Sequence, residues 1–132
     1  MKTTDPDILL IEPDRLLGEN FKRLLQAHGY GVRLCHDAAA ALKLAEQRPP
    51  QLLLINDTLP RNSSSEFLYE FRSYPEWMAV PVVLLSLQPE ASLRANRPVL
   101  RQLGVELFVL NSAPPLSKLV DRVRLLLTPA AA

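Results

Sequence analysis

The sequence has little cysteine and little glycine. One cysteine among 132 residues, Cys35, excludes an internal disulfide and a cysteine-rich zinc site. Four glycines, none of them spaced as G-x-G-x-x-G or G-x-x-x-x-G-K, leave no glycine-rich loop to hold a nucleotide phosphate. The two histidines, His28 and His36, show no metal-ligand spacing and are predicted to lie at the surface.

Long apolar runs and an excess of one charge are also absent. No uninterrupted apolar run approaches the roughly 18 residues that span a bilayer. Lys2 is followed by polar residues instead of an apolar stretch, so no signal peptide is predicted. Fifteen basic and 14 acidic residues give a net charge of +1, which predicts neither a nucleic-acid-binding nor a membrane-binding surface. We therefore expect a cytoplasmic protein.

Proline, by contrast, is abundant. The chain has 12 prolines against four glycines, whereas average proteins contain about 5% proline and about 7% glycine. The prolines are spread singly or in pairs, so they do not mark a low-complexity tail. With 48% hydrophobic and 22% charged residues, the composition is that of one globular domain. We predict a domain at 1–127 and a tail or the start of a linker at 128–132, as in a domain cut from a longer regulatory protein, with a stand-alone domain as the alternative.

Short apolar segments alternate with amphipathic segments five times. The short segments predict strands at 8–11, 31–35, 51–55, 81–85 and 105–110. The amphipathic segments predict helices at 15–28, 38–47, 66–72, 90–103 and 116–127. Asp14 and Asp37 are predicted to be the N-caps of the first two helices. Apolar strands separated by helices are typical of a parallel sheet covered on both faces, so the predicted fold is α/β, a doubly wound five-stranded parallel sheet.

Pro98 interrupts the fourth predicted helix. An interior proline costs about 3 kcal/mol, so this helix is alternatively expected to begin near Arg97, with the proline in its first turn. Arg94, Arg97 and Arg101 make this segment the most basic local surface of the chain. The arginines indicate either a partner-binding surface or a solvated helix face.

A serine-rich turn, the cysteine and the tryptophan have plain structural interpretations. The serines at 63–65 are predicted to form a solvated turn, and Cys35 is predicted to be a buried apolar residue. Trp77 and Met78 precede the fourth strand and either cover the edge of the core or form an exposed contact.

The ends of the predicted strands carry the residues of greatest chemical interest. In an open parallel sheet, ligands bind at the carboxyl ends of the strands. The residues at those ends are Glu12, Pro13, Asp14, Asn56, Asp57, Ser86, Leu87 and Asn111.

Four segments at these ends resemble the receiver domain of bacterial two-component response regulators. They are ILLIEPD at 8–14, LLINDTLP at 53–60, VPVVLLS at 80–86 and GVELFVLN at 104–111. The resemblance covers about 8–127 and implies the flavodoxin-like (βα)5 receiver fold. It also implies that an aspartate after the third strand accepts a phosphoryl group from a histidine kinase. Two acidic residues would help to bind Mg²⁺, and a serine or threonine and a lysine would contact the phosphoryl oxygens.

The sequence departs from this pattern at the positions that carry the chemistry. Asn56 stands at the position of the accepting aspartate, and a carboxamide is a poor nucleophile. Pro13 stands at the second acidic position and Asn111 at the lysine position. Glu12, alone or with Asp14, is then the remnant of the metal site. One engineered aspartate-to-asparagine change would not explain all three departures, which favours a naturally degenerate receiver.

Positions beside the pocket partly follow the family pattern. Ser86 matches the serine or threonine after the fourth strand. Leu87 is larger than the residue usual there and would crowd the phosphate pocket, and Ser64 stands where glycine is usual.

These departures predict a phosphorylation-independent signalling module that acts by protein–protein interaction. We expect no enzymatic activity, no cofactor and no bound metal. The resemblance implies that an output domain, a partner protein or a second copy binds the face formed by helix four, strand five and helix five. The residues predicted on that face are Arg94, Arg97, Arg101 and Phe108, the last at the family's aromatic switch position.

Two alternatives stay open. The chain could be a phosphorylatable receiver in which Asp57 or Asp14 compensates for Asn56. Against this, adjacent strand residues point to opposite faces, so Asp57 is expected to point away from the pocket, and Asp14 is expected to cap a helix. The chain could also be a small-ligand-binding module whose vacated pocket is bounded by Glu12, Asn56, Ser86 and Asn111.

Overall fold

The computed structural model of the chain describes residues 6–57, 64–86, 97–109 and 115–127. Within these residues, five parallel strands form one sheet in the order β2-β1-β3-β4-β5. The strands are β1 (Asp7–Ile11), β2 (Gly31–Cys35), β3 (Leu52–Asn56), β4 (Val82–Ser86) and β5 (Val105–Val109). This order, with the first strand inside the sheet and β3 beside it, is that of the predicted doubly wound α/β fold.

Helices connect the strands and follow the last of them. They are α1 (Arg15–Ala27), α2 (Ala38–Gln47), α3 (Ser64–Ser73), α4 (Arg97–Gln102) and α5 (Pro115–Leu127), with a 3-10 turn at Pro75–Trp77 after α3. No helix in the described part of the chain is both long and apolar enough to cross a membrane.

The sheet is covered on both faces because its central strands are apolar on both sides. Neighbouring residues of β3 belong to different cores. Leu53 packs in a core that includes residues of α2, α3 and α4, and Leu54 packs in a second core with residues of α1 and α5. Both leucines are fully buried, and burial of each contributes about 1.5–3 kcal/mol. The two cores therefore hold the central strands, and with them the carboxyl edge of the sheet, in fixed positions.

The first two helices begin at the predicted caps. The Oδ1 atom of Asp14 accepts a hydrogen bond from the Leu17 N–H at 3.0 Å. The Oδ1 atom of Asp37 accepts one from the Ala40 N–H at 2.8 Å. Each bond satisfies a donor that the first helical turn leaves unpaired.

Several predicted boundaries differ from the structure. β3 and β4 extend through Asn56 and Ser86, because Asn56 still pairs with Leu85, and Ser86 with Val109, in the ladders to the next strand. α3 begins at Ser64, which is buried; the prediction that Ser64 belongs to a solvated turn is therefore wrong. α1 ends at Ala27, one residue before the predicted end.

The segment around Pro98 forms the shorter of the two predicted helices. α4 begins at Arg97 and has the proline at its second residue, where its missing N–H costs no helical hydrogen bond. Other predicted features lie outside the described residues: Ser63, Leu87, Arg94, Leu110, Asn111 and 128–132.

Trp77 covers the core, and its neighbour does not. Trp77 is 2% exposed, whereas Met78 is 62% exposed. The indole ring stacks on Phe71 with a centroid distance of 4.9 Å and lies 4.7 Å from the Tyr74 ring. Cys35 is buried as predicted, and burial raises the pKa of its thiol to about 12. The cysteine is therefore a neutral core residue at physiological pH.

Candidate functional site

Three buried polar side chains lie at the carboxyl edge of the three central strands. Glu12, which follows β1, is 1% exposed; Asn56, at the end of β3, is 4% exposed; and Ser86, at the end of β4, is 0% exposed. The strand register brings these ends together, because Ile11 lies opposite Ile55 and Asn56 lies opposite Leu85. Polar groups are rarely this deeply buried without partners. The carboxyl ends of these strands therefore bring three buried polar side chains to one edge of the sheet.

A hydrogen bond joins the side chains of Glu12 and Asn56. The Asn56 Nδ2 group donates to Glu12 Oε1 at 2.8 Å. The other carboxylate oxygen, Oε2, accepts from the backbone N–H of Asp14 at 3.0 Å. Burial raises the pKa of the Glu12 carboxyl, and these two hydrogen bonds oppose that rise by stabilising the carboxylate. Each carboxylate oxygen therefore has a fixed N–H donor inside the protein.

Ser64 fixes the backbone at the end of β3. Its Oγ donates to the Asn56 carbonyl at 2.9 Å, and both residues are buried. The bond connects the last residue of β3 to the first residue of α3, although seven residues separate them along the chain. The serine-rich sequence around Ser64 predicts a turn and does not indicate this role.

His36 is a second residue of the site that the sequence analysis missed. It follows β2 and is half-buried, and its Nδ1 donates to the Glu12 carbonyl at 2.8 Å. The backbone N–H of Glu12 also donates to the Cys35 carbonyl at 2.9 Å. The end of β1 is therefore held by β2 and by the loop after it. The position of His36 directly after a strand was the available signal.

The other described residues that the sequence predicted for this site do not join the hydrogen bond between Glu12 and Asn56. Asp14 is exposed and uses its carboxylate to cap α1. Asp57 is half-buried, and its backbone N–H continues the sheet by donating to the Leu85 carbonyl at 3.0 Å. Pro13 is half-buried and has no side-chain donor or acceptor. Among the residues that the structure describes, no three histidine, cysteine or acidic side chains are grouped to hold a metal ion.

Charged and half-buried residues line the face formed by α4, β5 and α5. Phe108 is half-buried on β5 and packs against the core beneath α1 and α5. Arg101 is exposed on α4. Arg122 of α5 makes two hydrogen bonds to Glu106 of β5, from Nε to Oε2 and from Nη2 to Oε1, the latter at 2.7 Å. This pairing raises the pKa of Arg122.

Comparison with known proteins gives the family. A sequence model described as "Response regulator receiver domain" matches residues 8–123. The chain is 30% identical over 87 residues to the response regulator MprA of Mycobacterium avium, a match that covers 66% of this chain and 37% of that protein. The chain therefore spans little more than a third of the length of this relative.

Solved structures agree with this assignment at the level of the fold. A sensor protein from Polaromonas sp. JS666 superposes with a TM-score of 0.82 at 18% identity, covering 92% of this chain and 95% of that one. The chemotaxis response regulator CheY4 of Vibrio cholerae superposes with a TM-score of 0.78 at 20% identity, covering 91% and 99%. The chain belongs to the response regulator receiver domain family, and its five parallel strands and flanking helices form the flavodoxin-like receiver fold.

Proposed function

We propose that this receiver domain is a phosphorylation-independent signalling module that acts by binding another protein. The hydrogen bond between Asn56 and Glu12 is the observation that carries the proposal. It places a neutral amide where the family resemblance implies a nucleophilic carboxylate, and it engages that amide inside the protein.

Asn56 lacks the chemistry of a phosphoryl-accepting nucleophile. Phosphoryl transfer to a receiver needs a carboxylate oxygen that attacks phosphorus and forms an acyl phosphate. The Asn56 side chain is a carboxamide, whose nitrogen donates to Glu12 and whose oxygen lacks the negative charge of a carboxylate. Asn56 is also 4% exposed and has its backbone carbonyl bonded to Ser64. Asn56 is therefore suited to hold β3 and β1 together and poorly suited to attack.

The side chains around Glu12 are a poor ligand set for Mg²⁺. This ion takes several oxygen ligands in near-octahedral geometry. Both oxygens of Glu12 accept N–H hydrogen bonds, Pro13 offers no side-chain oxygen, and the Asp14 carboxylate caps α1. This donor set does not fit a magnesium site, so no step of the proposed function uses one.

The buried carboxylate of Glu12 has hydrogen-bond donors beside it in place of a second carboxylate. A buried carboxylate is costly unless partners compensate it, and a second carboxylate at hydrogen-bonding distance would repel it. In this domain, the Asn56 amide and the Asp14 N–H provide the compensation. Among the described residues, these donors compensate part of the cost of burying Glu12 without a metal ion or a phosphoryl group.

The proposed interaction surface is the face formed by α4, β5 and α5. It combines exposed Arg101, the ion pair of Glu106 with Arg122, and Leu125, which is 64% exposed. Mixed charge around an apolar residue suits a protein partner, an output domain or a second copy, and suits a nucleic acid or a membrane poorly. We place the domain in the cytoplasm and assign it no enzymatic activity.

A titration with Mg²⁺ and beryllofluoride, followed by ¹H–¹⁵N NMR, tests the proposal. Beryllofluoride mimics a phosphoryl group on a receiver aspartate only when Mg²⁺ is bound. We expect no saturable shift of the Glu12, Asn56 or Phe108 amide signals. Saturable shifts at these residues would contradict the proposal. If an Asp57→Asn variant abolished them, they would establish the rearranged phosphorylatable receiver instead.

A further inference from the structure

A cavity of about 540 Å³ lies at the edge of the sheet opposite Glu12 and Asn56. It is bounded by the residues before β4, by the turn between α4 and β5, and by the end of α3. Its lining includes Arg72, Met78, Ala79, Pro81, Leu103 and Gly104. Its volume falls within the range of about 300–1,000 Å³ that is usual for small-molecule sites.

Arg72 is held rigidly at this cavity. Its Nε donates to the Leu103 carbonyl at 2.8 Å, and its Nη1 donates to the Trp77 and Met78 carbonyls at 2.9 Å and 3.1 Å. Its Nη2 donates to the Gly104 carbonyl at 3.2 Å. These four bonds use four of the five N–H groups of a guanidinium. One N–H on Nη2 is left for a further acceptor.

Within the described residues, the guanidinium of Arg72 forms no ion pair with a carboxylate. The ion pairs found there join Asp7, Glu106 and Asp121 to other arginines. Arg72 is half-buried, and burial lowers its pKa because no acidic group offsets the loss of water. The four carbonyl oxygens carry partial charges only. A half-buried cation in such surroundings is stabilised by an anion that enters the cavity.

The other walls of the cavity are mostly apolar. Met78, Ala79, Pro81 and Leu103 supply carbon surface around the guanidinium, and Gln102 is the one further polar side chain of the lining. Gly104 has no side chain beside Nη2, and a Cβ atom at this position would make an ordinary van der Waals contact with it at 3.7 Å. A ligand that matches both the Arg72 guanidinium and the apolar walls needs one negative group and an apolar body.

We infer that this cavity binds a small organic carboxylate, with the carboxylate against Arg72 and the apolar body against Met78 and Leu103. The inference is independent of the proposed loss of phosphorylation, because the two sites lie at opposite edges of the sheet and share no residue.

An NMR titration of the 132-residue chain with hexanoate, hexan-1-ol and hexylamine tests the inference. We expect hexanoate to cause saturable shifts of the Ala79 and Gly104 amide signals, with a Kd of about 1 mM. Hexan-1-ol should bind at least about tenfold more weakly because it lacks a charge-assisted hydrogen bond. Hexylamine should cause no saturable shift.

Substitutions in the cavity test whether hexanoate binds there. Ala79→Leu should fill the cavity and abolish the hexanoate shifts, whereas the matched control Ala39→Leu, at an exposed position of α2, should leave them unchanged. Arg72→Gln should remove the preference for hexanoate over hexan-1-ol. If Arg72→Gln does not fold, Ala79→Leu still shows whether hexanoate binds in this cavity. Ala79 is exposed and takes no part in the four Arg72 hydrogen bonds, so its substitution should leave the fold intact. Equal binding of hexanoate and hexan-1-ol, absence of saturable shifts, or binding that Ala79→Leu leaves intact would overturn the inference.

Discussion

The Asn56 amide donates a 2.8 Å hydrogen bond to the Glu12 carboxylate across β3 and β1, and both side chains are almost completely buried. This bond provides positive partial charge beside a buried carboxylate. The response of this pair to substitution can be stated in advance.

Asn56→Asp should destabilise the domain by about 3 kcal/mol at neutral pH, because it removes a donor and places a second carboxylate beside Glu12. The loss should shrink at acidic pH, where the two carboxyl groups share a proton. Chemical denaturation at several pH values measures this. Asn56→Ala, which removes the donor without adding charge, is the control, and a loss for Asn56→Asp no greater than for Asn56→Ala at neutral pH would refute the argument.

The raised pKa of Glu12 predicts a definite pH dependence of stability. The folded state binds the Glu12 proton more tightly than the unfolded state, whose pKa is near the ordinary value of 4.5. This contribution to stability is therefore complete below that value and is lost as the pH rises through the folded pKa. Subtracting the unfolding free energies of Glu12→Gln from those of the natural sequence isolates the contribution. If the natural sequence instead gained stability relative to Glu12→Gln as the pH rose, the raised pKa of Glu12 in the folded state would be contradicted.

Ser64→Ala should cost about 1–2 kcal/mol, because it leaves the buried Asn56 carbonyl without its hydroxyl donor. Ser73→Ala is a matched control in the same helix, since the Ser73 hydroxyl bonds the Glu70 carbonyl at an exposed site. Its effect should stay within about 0.5 kcal/mol. Thermal and urea unfolding of both variants make the comparison, and equal effects would remove Ser64 from the site.

Arg72→Met should destabilise the domain by about 2–4 kcal/mol, since it removes the donor from four backbone carbonyls. Hydrogen exchange should accelerate most at the turn between α4 and β5 and at the 3-10 turn. Arg72→Lys keeps the charge but not the planar set of donors, so it should recover only part of the loss. Full recovery by lysine would show that charge alone matters at this position.

The ion pair of Glu106 with Arg122 should contribute little to folding. Its side chains are 30% and 41% exposed, and exposed pairs are worth about 0.2–1 kcal/mol. A double-mutant cycle with Glu106→Gln and Arg122→Gln should give a coupling in that range that weakens in high salt. A salt-independent coupling free energy well above that range would mean that the pair strongly stabilises the fold. Glu106 and Arg122 would then be poorly suited to giving up their contact for contacts with another protein.

Local patterns in the sequence were enough to predict the fold. Apolar runs marked the five strands, and Asp14 and Asp37 marked helix starts, because these signals lie within a few residues of what they determine. The ends of β3 and β4 were placed too early, since Asn56 and Ser86 are polar and resemble loop residues until the neighbouring strand is known.

Interactions between distant segments were not predictable in the same way. Ser64 was assigned to a turn from its serine neighbours, yet its partner is a backbone carbonyl at the end of a strand. Arg72 bonds carbonyls as far away as Leu103 and Gly104, and backbone carbonyls leave no pattern in a sequence. The family resemblance placed Asn56 and Glu12 at one pocket, but their hydrogen bond became visible only with the strand order, which brings β3 beside β1.

Incubation with acetyl phosphate and Mg²⁺, read by intact-protein mass spectrometry, tests the central claim most directly. The control is the triple variant Pro13→Asp, Asn56→Asp, Asn111→Lys, which restores the three residues that the family resemblance implies. We predict that the natural sequence gains no phosphoryl group under conditions in which the triple variant does. A phosphoryl adduct on the natural sequence, at Asp57 or at any other residue of the pocket, would contradict the account.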